Sequence, residues 1–114
     1  MPEKIFDKAG LIERLLGDEE LAKEVIAVFL DNVPSRFEEL KDALDKGDAN
    51  RLRGHAHALK GAAMTISAPA LKATAHQMEH AAMSCDMEHA ATIFPEMAAQ
   101  FEILKNTLAQ TWPA

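Results

Sequence analysis

The sequence predicts an all-α protein, an antiparallel up-down four-helix bundle with one or two short additional N-terminal helices. Strand-forming residues are sparse, with no Tyr and few Ile or Val, whereas Ala, Leu, Met, Glu and Lys are abundant. Apolar residues recur at intervals of three and four, which is the period of an amphipathic helix. Only a few residues separate one periodic segment from the next, and short connections favour antiparallel neighbours.

The first half of the chain divides into three predicted helices. A short helix ends at Gly17, which suits the left-handed position after a helix, and Asp18 begins a second one that runs to about Leu30. The sequence DNVPS then predicts a break. Pro34 suits the first turn of the third helix, because a missing N–H costs nothing there, and Gly47 closes that helix.

The second half keeps the same spacing of apolar residues in three further helices. Asp48 caps the fourth helix. Its inward-facing residues are predicted to be Leu52, Ala56, Leu59, Ala63 and Ile66. The fifth helix begins at the sequence SAP, where Ser67 is expected to cap the helix and Pro69 to occupy its first turn. The last helix follows the sequence SCD, and Pro95 is expected to kink it.

Composition bounds the class of protein. The 114 residues are the size of one domain, and the net charge of −6 argues against nucleic acid as a partner. No apolar run approaches the length of a membrane span, and the N-terminus has no signal-like apolar region, so no direct membrane insertion is expected. The single Cys85 fits a reducing compartment. The expectation is a soluble, cytoplasmic chain, and the mixed polar surface favours a monomer.

The stretch HAHALKG places Gly61 inside the fourth helix, where Gly costs about 1 kcal/mol relative to Ala. Beside the inward-facing residues runs a stripe of Arg53, His57, Lys60, Gly61 and Met64, rotated about 100° toward solvent. The missing side chain at Gly61 leaves the His57 ring open on one side, and Lys60 stands one turn away. A ring nitrogen is a nucleophile, and a cation offsets phosphate charge. The stripe therefore predicts a site that carries a phosphoryl group.

Residues 56–61 match the pattern AHxLKG and resemble the histidine-containing phosphotransfer (HPt) domains of multistep phosphorelays. The resemblance continues upstream through VFLDNVPSRFEELKDALDKGD and downstream through LKATAHQME. It covers roughly residues 7–110 and implies a single HPt domain across residues 1–114. One departure is the pair Ser67-Ala68, where the family usually has Gly-Ala. This departure concerns the geometry of the loop, since a capping Ser serves the same turn.

The resemblance implies a role for four residues. His57 accepts a phosphoryl group, on Nε2, from a receiver-domain aspartate and passes it to another receiver domain in a two-component phosphorelay. Lys60 steadies the phosphate, and Gly61 gives the partner's active site access. Glu79, at the family's Glu or Gln position on the next helix, is expected to hydrogen-bond the other imidazole nitrogen.

Partner contacts are expected on the same stripe. Met64 offers apolar surface to a docking protein, and Arg53 is expected to contact the partner as well. The resemblance implies that the partners are response-regulator receiver domains, a hybrid sensor histidine kinase, or both. The receiver brings Mg²⁺, so this chain is expected to bind no cofactor. The resemblance therefore implies a phosphocarrier without independent catalytic activity. The sequence has no GxxxxGK[ST] loop and no kinase glycine loop, which argues against self-phosphorylation.

Two alternative functions stay open. A helical docking module for receiver domains that does not transfer phosphate would keep the fold but lose or bury His57. A metal-binding helical bundle would use His76 and His80, whose i, i+4 spacing is one used for zinc, but no third ligand is fixed by the sequence and Cys85 is alone. His55 projects about 200° away from His57, so a structural or exposed role is expected for it rather than a second acceptor.

Overall fold

The computed structural model describes residues 3–112, which form five helices and no strand. The helices are α1 (Lys8–Arg14), α2 (Glu19–Lys46), α3 (Ala49–Thr65), α4 (Pro69–Met83) and α5 (Met87–Thr111). The four long helices follow one another up and down around a shared core, and α2 packs against α5 to close the bundle. The predicted all-α bundle is confirmed, with one short N-terminal helix rather than two.

The core is built from the apolar stripe of each helix. All five inward-facing residues predicted for α3 are buried: Leu52, Ala56, Leu59, Ala63 and Ile66. The facing stripe of α4 is rich in Ala, and small side chains let two helices approach closely. The α3–α4 pair is the most extensive helix–helix contact. This close pair carries the residues of the candidate site.

The predicted break at DNVPS is wrong, because α2 continues through Pro34 without interruption. A proline there leaves the carbonyl of Leu30 without its intrahelical donor. Aromatic residues of α2 before and after Pro34 both pack on α5, which keeps the two parts of α2 in one continuous helix. The Phe29 ring lies 6.1 Å from that of Phe101, and the Phe37 ring stacks on the same phenylalanine at 5.2 Å. Burial of these rings outweighs the lost backbone hydrogen bond, so tertiary packing overrides the local signal.

The predicted capping role of Ser67 is also wrong. Ala68 occupies the N-cap of α4 and supplies no side-chain acceptor, although Pro69 does begin that helix as predicted. Ser67 has a left-handed backbone with φ +60°, and its hydroxyl accepts from the guanidinium of Arg14. Arg14 also donates to the carbonyl of Thr65 at 2.9 Å. The turn between α3 and α4 is therefore held from outside by α1.

The predicted signals at most of the other helix ends are confirmed. Asp18 and Asp48 accept from backbone amides in the first turns of α2 and α3. Gly47 is the left-handed residue that ends α2, as predicted. Gly17 also has positive φ, but α1 ends earlier, at Arg14, and the left-handed residue directly after its C-cap is Leu16. These local signals fix where α2 and α3 begin.

A polar network joins α2 to α3 one turn before the candidate site. The guanidinium of Arg36 donates to Nδ1 of His55 at 2.8 Å, and Nε2 of His55 lies 3.6 Å from Glu39. Arg51 pairs with Glu39 and, at 2.6 Å, with Asp42. Burial and then the charge of Arg36 lower the pKa of His55. His55 thus faces α2, away from His57, in the structural role that the sequence predicts.

Within the part of the chain that the structure describes, no helix has the length and apolar content needed to cross a membrane. The two terminal residues at each end lie outside the described part.

We expect Pro34→Ala to raise the free energy of unfolding by about 1–3 kcal/mol, because alanine restores the amide that pairs with Leu30 and removes the ring. Urea unfolding at constant m-value measures this change. Pro69→Ala is the matched control. At the first position of α4 the missing N–H is unpaired anyway, so roughly 0.5 kcal/mol or less is expected. A Pro34→Ala variant no more stable than wild type would contradict this account of α2.

Candidate functional site

The outer face of α3 presents His57 to solvent. Its side chain is 67% exposed, whereas its neighbour Ala56 is fully buried. Gly61 lies one turn after His57 and Gly54 one turn before it. Apart from the adjacent residues and the nearby backbone of α3 itself, no atom of the described residues lies within 4 Å of the place where a Cβ would stand at either glycine. The helix surface therefore carries no side chain one turn before or one turn after the imidazole. Open space at Gly54 adds to the open space that the sequence predicts at Gly61.

Glu79 on α4 holds the imidazole from behind. Its side chain is only 10% exposed, and Oε2 lies 2.7 Å from Nδ1 of His57. An ionised carboxylate only accepts hydrogen bonds, so Nδ1 of His57 carries the proton and donates it to Glu79. In the neutral ring, Nε2 then bears the lone pair. The structure thus brings together the two side chains that the sequence resemblance pairs.

Lys60 reaches the same carboxylate from α3. Its Nζ donates to Oε1 of Glu79 at 2.6 Å, and the lysine side chain is 20% exposed. This hydrogen bond from Lys60 lowers the pKa of Glu79, against the opposing effect of burial, and the bond from His57 lowers it further. Glu79 is therefore an anion at neutral pH. The ammonium of Lys60 is bound to Glu79, not to the imidazole beside which the sequence places it.

A shallow cavity of about 250 Å³ lies against the imidazole. Its lining residues are Asn50, Arg53, Gly54, His57 and Glu79. Arg53 is exposed and, among residues 3–112, makes no ion pair. Met64, at the other end of the predicted stripe, is 49% exposed. The sequence reasoning did not single out Asn50 or Gly54, although the interior position of Gly54 is the same kind of signal as Gly61.

The two histidines of the metal-binding alternative do lie together on α4. The rings of His76 and His80 are 4.6 Å apart in an edge-to-face arrangement, and Nδ1 of His76 lies 3.9 Å from Oε1 of Glu79. No set of three or more His, Cys, Asp or Glu residues is placed to hold a metal ion in residues 3–112. Cys85, the one cysteine of the sequence, is exposed and has a free thiol. The described residues therefore offer this pair no third ligand.

The fold and this site define a helical bundle that carries an exposed, oriented histidine, and sequence comparison gives the class. The family model of the Hpt domain matches residues 24–111. The chain therefore belongs to the Hpt domain family, whose function is histidine phosphotransfer in phosphorelays. Hpt domains are phosphocarriers that interact with receiver domains and kinases. The family predicted from AHxLKG and its flanking segments is confirmed.

Among solved structures, the chain is similar to histidine-containing phosphotransfer protein B (HptB) from Pseudomonas aeruginosa PAO1. The TM-score is 0.87 at 24% sequence identity, and the match covers 94% of this chain and 93% of that protein. This match shows a shared fold. A search of curated proteins gave no significant match.

We expect Glu79 to make stability depend on pH. Because folding lowers the pKa of Glu79 from 4.5, the unfolded chain binds more protons in acid. The stabilisation is therefore present above pH 4.5 and is lost as pH falls through the lower folded value. Glu79→Gln should remove this part of the dependence and, at pH 7, cost about 1–3 kcal/mol because Lys60 loses its charged acceptor.

Urea unfolding of wild type and Glu79→Gln between pH 7 and pH 3 measures the effect. Glu38→Gln, at an exposed position of α2, is the control and should follow the wild-type curve. Parallel loss of stability in wild type and Glu79→Gln would show that this carboxylate is not held as an anion in the fold.

Proposed function

We propose that this chain carries a phosphoryl group on Nε2 of His57, receiving it from an aspartyl phosphate of one receiver domain and passing it to an aspartate of another. The observation that supports this most directly is the 2.7 Å contact between Nδ1 of His57 and Oε2 of Glu79. That contact commits one ring nitrogen and leaves the other as the nucleophile on the exposed side. A hydrogen bond to a carboxylate fixes the tautomer and raises the basicity of the ring.

In the transfer step, the Nε2 lone pair of His57 attacks phosphorus while the P–O bond to the donor aspartate breaks. The aspartate leaves as a carboxylate, and the ring becomes a phosphorylated imidazolium whose Nδ1–H still donates to Glu79. The positive ring thus keeps a negative partner at 2.7 Å. The second transfer is the reverse step with a new aspartate as acceptor. Positioning and charge neutralisation dominate such reactions.

Lys60 contributes through Glu79. Its ammonium holds Oε1 at 2.6 Å, which keeps the carboxylate ionised and in place for His57. The ammonium also offsets the negative charge of Glu79 beside an incoming phosphoryl group. Lys60 thus stabilises the phosphorylated state electrostatically. Gly61 leaves the approach to Nε2 open to a partner's active site. Arg53 and Met64, both exposed near the imidazole along α3, are proposed to contact the partner.

The rest of the proposal follows from the class of partner. The receiver supplies Mg²⁺, and this chain binds no cofactor and has no catalytic activity of its own. Residues 1–114 form one domain, with a core of about residues 7–110, which acts as a monomer. A relay whose phosphate comes from ATP operates in the cytoplasm, which is where we place this chain. Neither alternative accounts for the site as well. A docking module without transfer needs no exposed imidazole with a fixed tautomer, and a metal-binding bundle needs a third ligand.

Phosphotransfer from a pre-phosphorylated receiver domain of the source organism tests the proposal. We expect wild type to acquire a label that is stable in alkali and labile in acid, and His57→Gln to acquire none while keeping the circular dichroism spectrum of wild type. His89→Gln, at an exposed position of α5, is the matched control and should be labelled normally. Label that persists in His57→Gln would place the acceptor elsewhere. No label on folded wild type from any receiver would favour the docking module.

Lys60→Ala is expected to shorten the lifetime of phosphohistidine roughly 3- to 10-fold, equivalent to about 0.7–1.4 kcal/mol. Without the ammonium, the full charge of Glu79 faces the phosphoryl group and repels it. Decay of the purified phospho-form at pH 8 measures the lifetime. Lys72→Ala, an exposed position on α4, serves as the control. Equal lifetimes in wild type and Lys60→Ala would remove Lys60 from the proposed mechanism.

Gly61→Ala should raise the stability of the protein while slowing phosphotransfer. The added methyl group meets open space and alanine is the better helix former, so the free energy of unfolding should rise by up to about 1 kcal/mol. Transfer from the receiver should nevertheless slow, because the methyl group stands where the partner approaches. Urea unfolding and transfer rates are compared on the same preparation. A more stable variant that transfers at the wild-type rate would show that access does not require glycine here.

A further inference from the structure

We propose that the guanidinium of Arg53, not the ammonium of Lys60, is the cation that pairs directly with the phosphoryl group on His57. This inference rests on the proposed function, since it takes His57 as the acceptor. It assigns to Arg53 a contact within this chain, where the sequence suggests only a contact with the partner.

Lys60 is already engaged. Its Nζ lies 2.6 Å from Oε1 of Glu79, and the lysine is mostly buried between α3 and α4. Moving the ammonium to a phosphoryl group on Nε2 of His57 would leave Oε1 of the buried Glu79 without its donor, so that the imidazolium on Oε2 would be its one remaining hydrogen-bonded cation among residues 3–112. Removing a partner from a buried carboxylate is costly, because the lost hydrogen bond and charge are not replaced by water. The lysine therefore stays with Glu79 when His57 is phosphorylated.

Arg53 and His57 line the same open cavity on the outer face of α3. The two residues are four apart on α3, so they are neighbours on one face. A helical side chain leans toward the N-terminal end of its helix, which takes the imidazole over the turn that contains Arg53 and Gly54. Both residues line the 250 Å³ cavity beside the ring. Gly54 adds no side chain there and leaves open space within 4 Å of its missing Cβ.

Arg53 is also the basic residue of α3 that has no partner among residues 3–112. Arg51 is held by Glu39 and Asp42, and Lys60 is held by Glu79. The exposed Arg53 forms neither an ion pair nor a side-chain hydrogen bond within that range. A guanidinium presents paired N–H donors that match two phosphate oxygens, so an unengaged arginine beside the acceptor is suited to a phosphoryl dianion.

The two cations then have separate tasks. Lys60 keeps Glu79 ionised, and Glu79 orients the imidazole. Arg53 pairs with two oxygens of the phosphoryl group once the Nε2–P bond has formed, and it lowers the energy of the loaded state relative to the free one. Because the pairing is made within this chain, it exists in the phosphorylated protein before any receiver binds.

A small-molecule phosphoryl donor tests the pairing of Arg53 with the phosphoryl group in the absence of any partner protein. Phosphoramidate transfers its phosphoryl group to Nε2 of His57 as its P–N bond breaks and ammonia leaves. We would prepare the phospho-form in this way for wild type, Arg53→Gln, Arg53→Lys and Lys60→Gln, and follow the ³¹P shift from pH 5 to pH 9. Lys41→Gln, at an exposed position of α2, is the control, and thermal unfolding by circular dichroism checks each fold.

Loss of a paired cation disfavours the phosphoryl dianion, so Arg53→Gln should move the ³¹P titration midpoint up by roughly 0.5 pH unit or more. It should also shorten the phosphohistidine lifetime severalfold, and Arg53→Lys should recover part of both effects. Lys41→Gln should match wild type. Lys60→Gln should shift the midpoint less than Arg53→Gln does, because its charge acts through Glu79.

Three results would overturn the inference. A wild-type midpoint in Arg53→Gln together with a displaced midpoint in Lys60→Gln would make Lys60 the direct partner of the phosphoryl group. A wild-type midpoint in Arg53→Gln, with only the transfer from a receiver slowed, would make Arg53 a contact to the partner and not to the phosphoryl group. Equal labelling of wild type and His57→Gln would overturn the proposed function itself, and this inference with it.

Discussion

The site depends on one buried carboxylate. The Glu79 side chain extends from α4 toward α3 and accepts one side-chain hydrogen bond on each oxygen, from the imidazole of His57 and from the ammonium of Lys60. A buried anion is tolerated only when such partners compensate its lost hydration. All three side chains must therefore be held at fixed distances by their helices. The packing of α3 against its neighbouring helices meets this requirement.

The α3–α4 pair satisfies the requirement through small residues. Alanines in the facing stripes let the two helices pack closely, so that side chains from both reach one point. The cap at Asp48 begins α3, its buried apolar stripe sets which face points inward, and Arg14 of α1 holds the turn after it. The network of Arg36 and His55 fixes α3 against α2 on the opposite side. Together these contacts make α3 a rigid support for an exposed imidazole.

On the outer face of α3, the proposed function opposes the stability of the helix. Glycine inside a helix costs about 1 kcal/mol relative to alanine, and this helix has two, Gly54 and Gly61, at positions where a methyl group would meet nothing. The fold accepts that cost because the inner face of α3 is fully buried against its neighbours. Packing gives no reason for the bare backbone beside His57, whereas the proposed phosphotransfer gives one, because a partner's active site would need access to the ring.

Much of this could be predicted from the sequence. The apolar spacing of α3 gave its inner face, and once that face is known the position of His57 on the outside follows. The AHxLKG match gave the family, and the position of Glu79 gave its contact with the imidazole. The buried and exposed faces of α3 were predictable because they rest on helix periodicity, whereas the contact of Glu79 with His57 was implied by the resemblance to HPt domains.

The failures share a physical reason, which is that distant contacts outweigh local signals. Pro34 predicts a helix start, but rings on α5 keep α2 continuous. Ser67 predicts a cap, but its hydroxyl is used by Arg14, whose position depends on how α1 packs. The partner of Lys60 was missed for the same reason. A lysine one turn from a histidine suggests contact between the two, and only the packing of α4 shows that a carboxylate lies within closer reach.

The central claim is that Glu79 holds the proton on Nδ1 of His57 and leaves Nε2 free as the nucleophile. Long-range ¹H–¹⁵N correlation spectra of the unphosphorylated protein at pH 8 report the tautomer of each histidine ring directly. The account predicts that His57 is protonated on Nδ1 in wild type and that Glu79→Ala shifts the ring toward the Nε2-protonated form. A wild-type His57 protonated mainly on Nε2 would contradict it, because the exposed nitrogen would then have no lone pair to attack phosphorus.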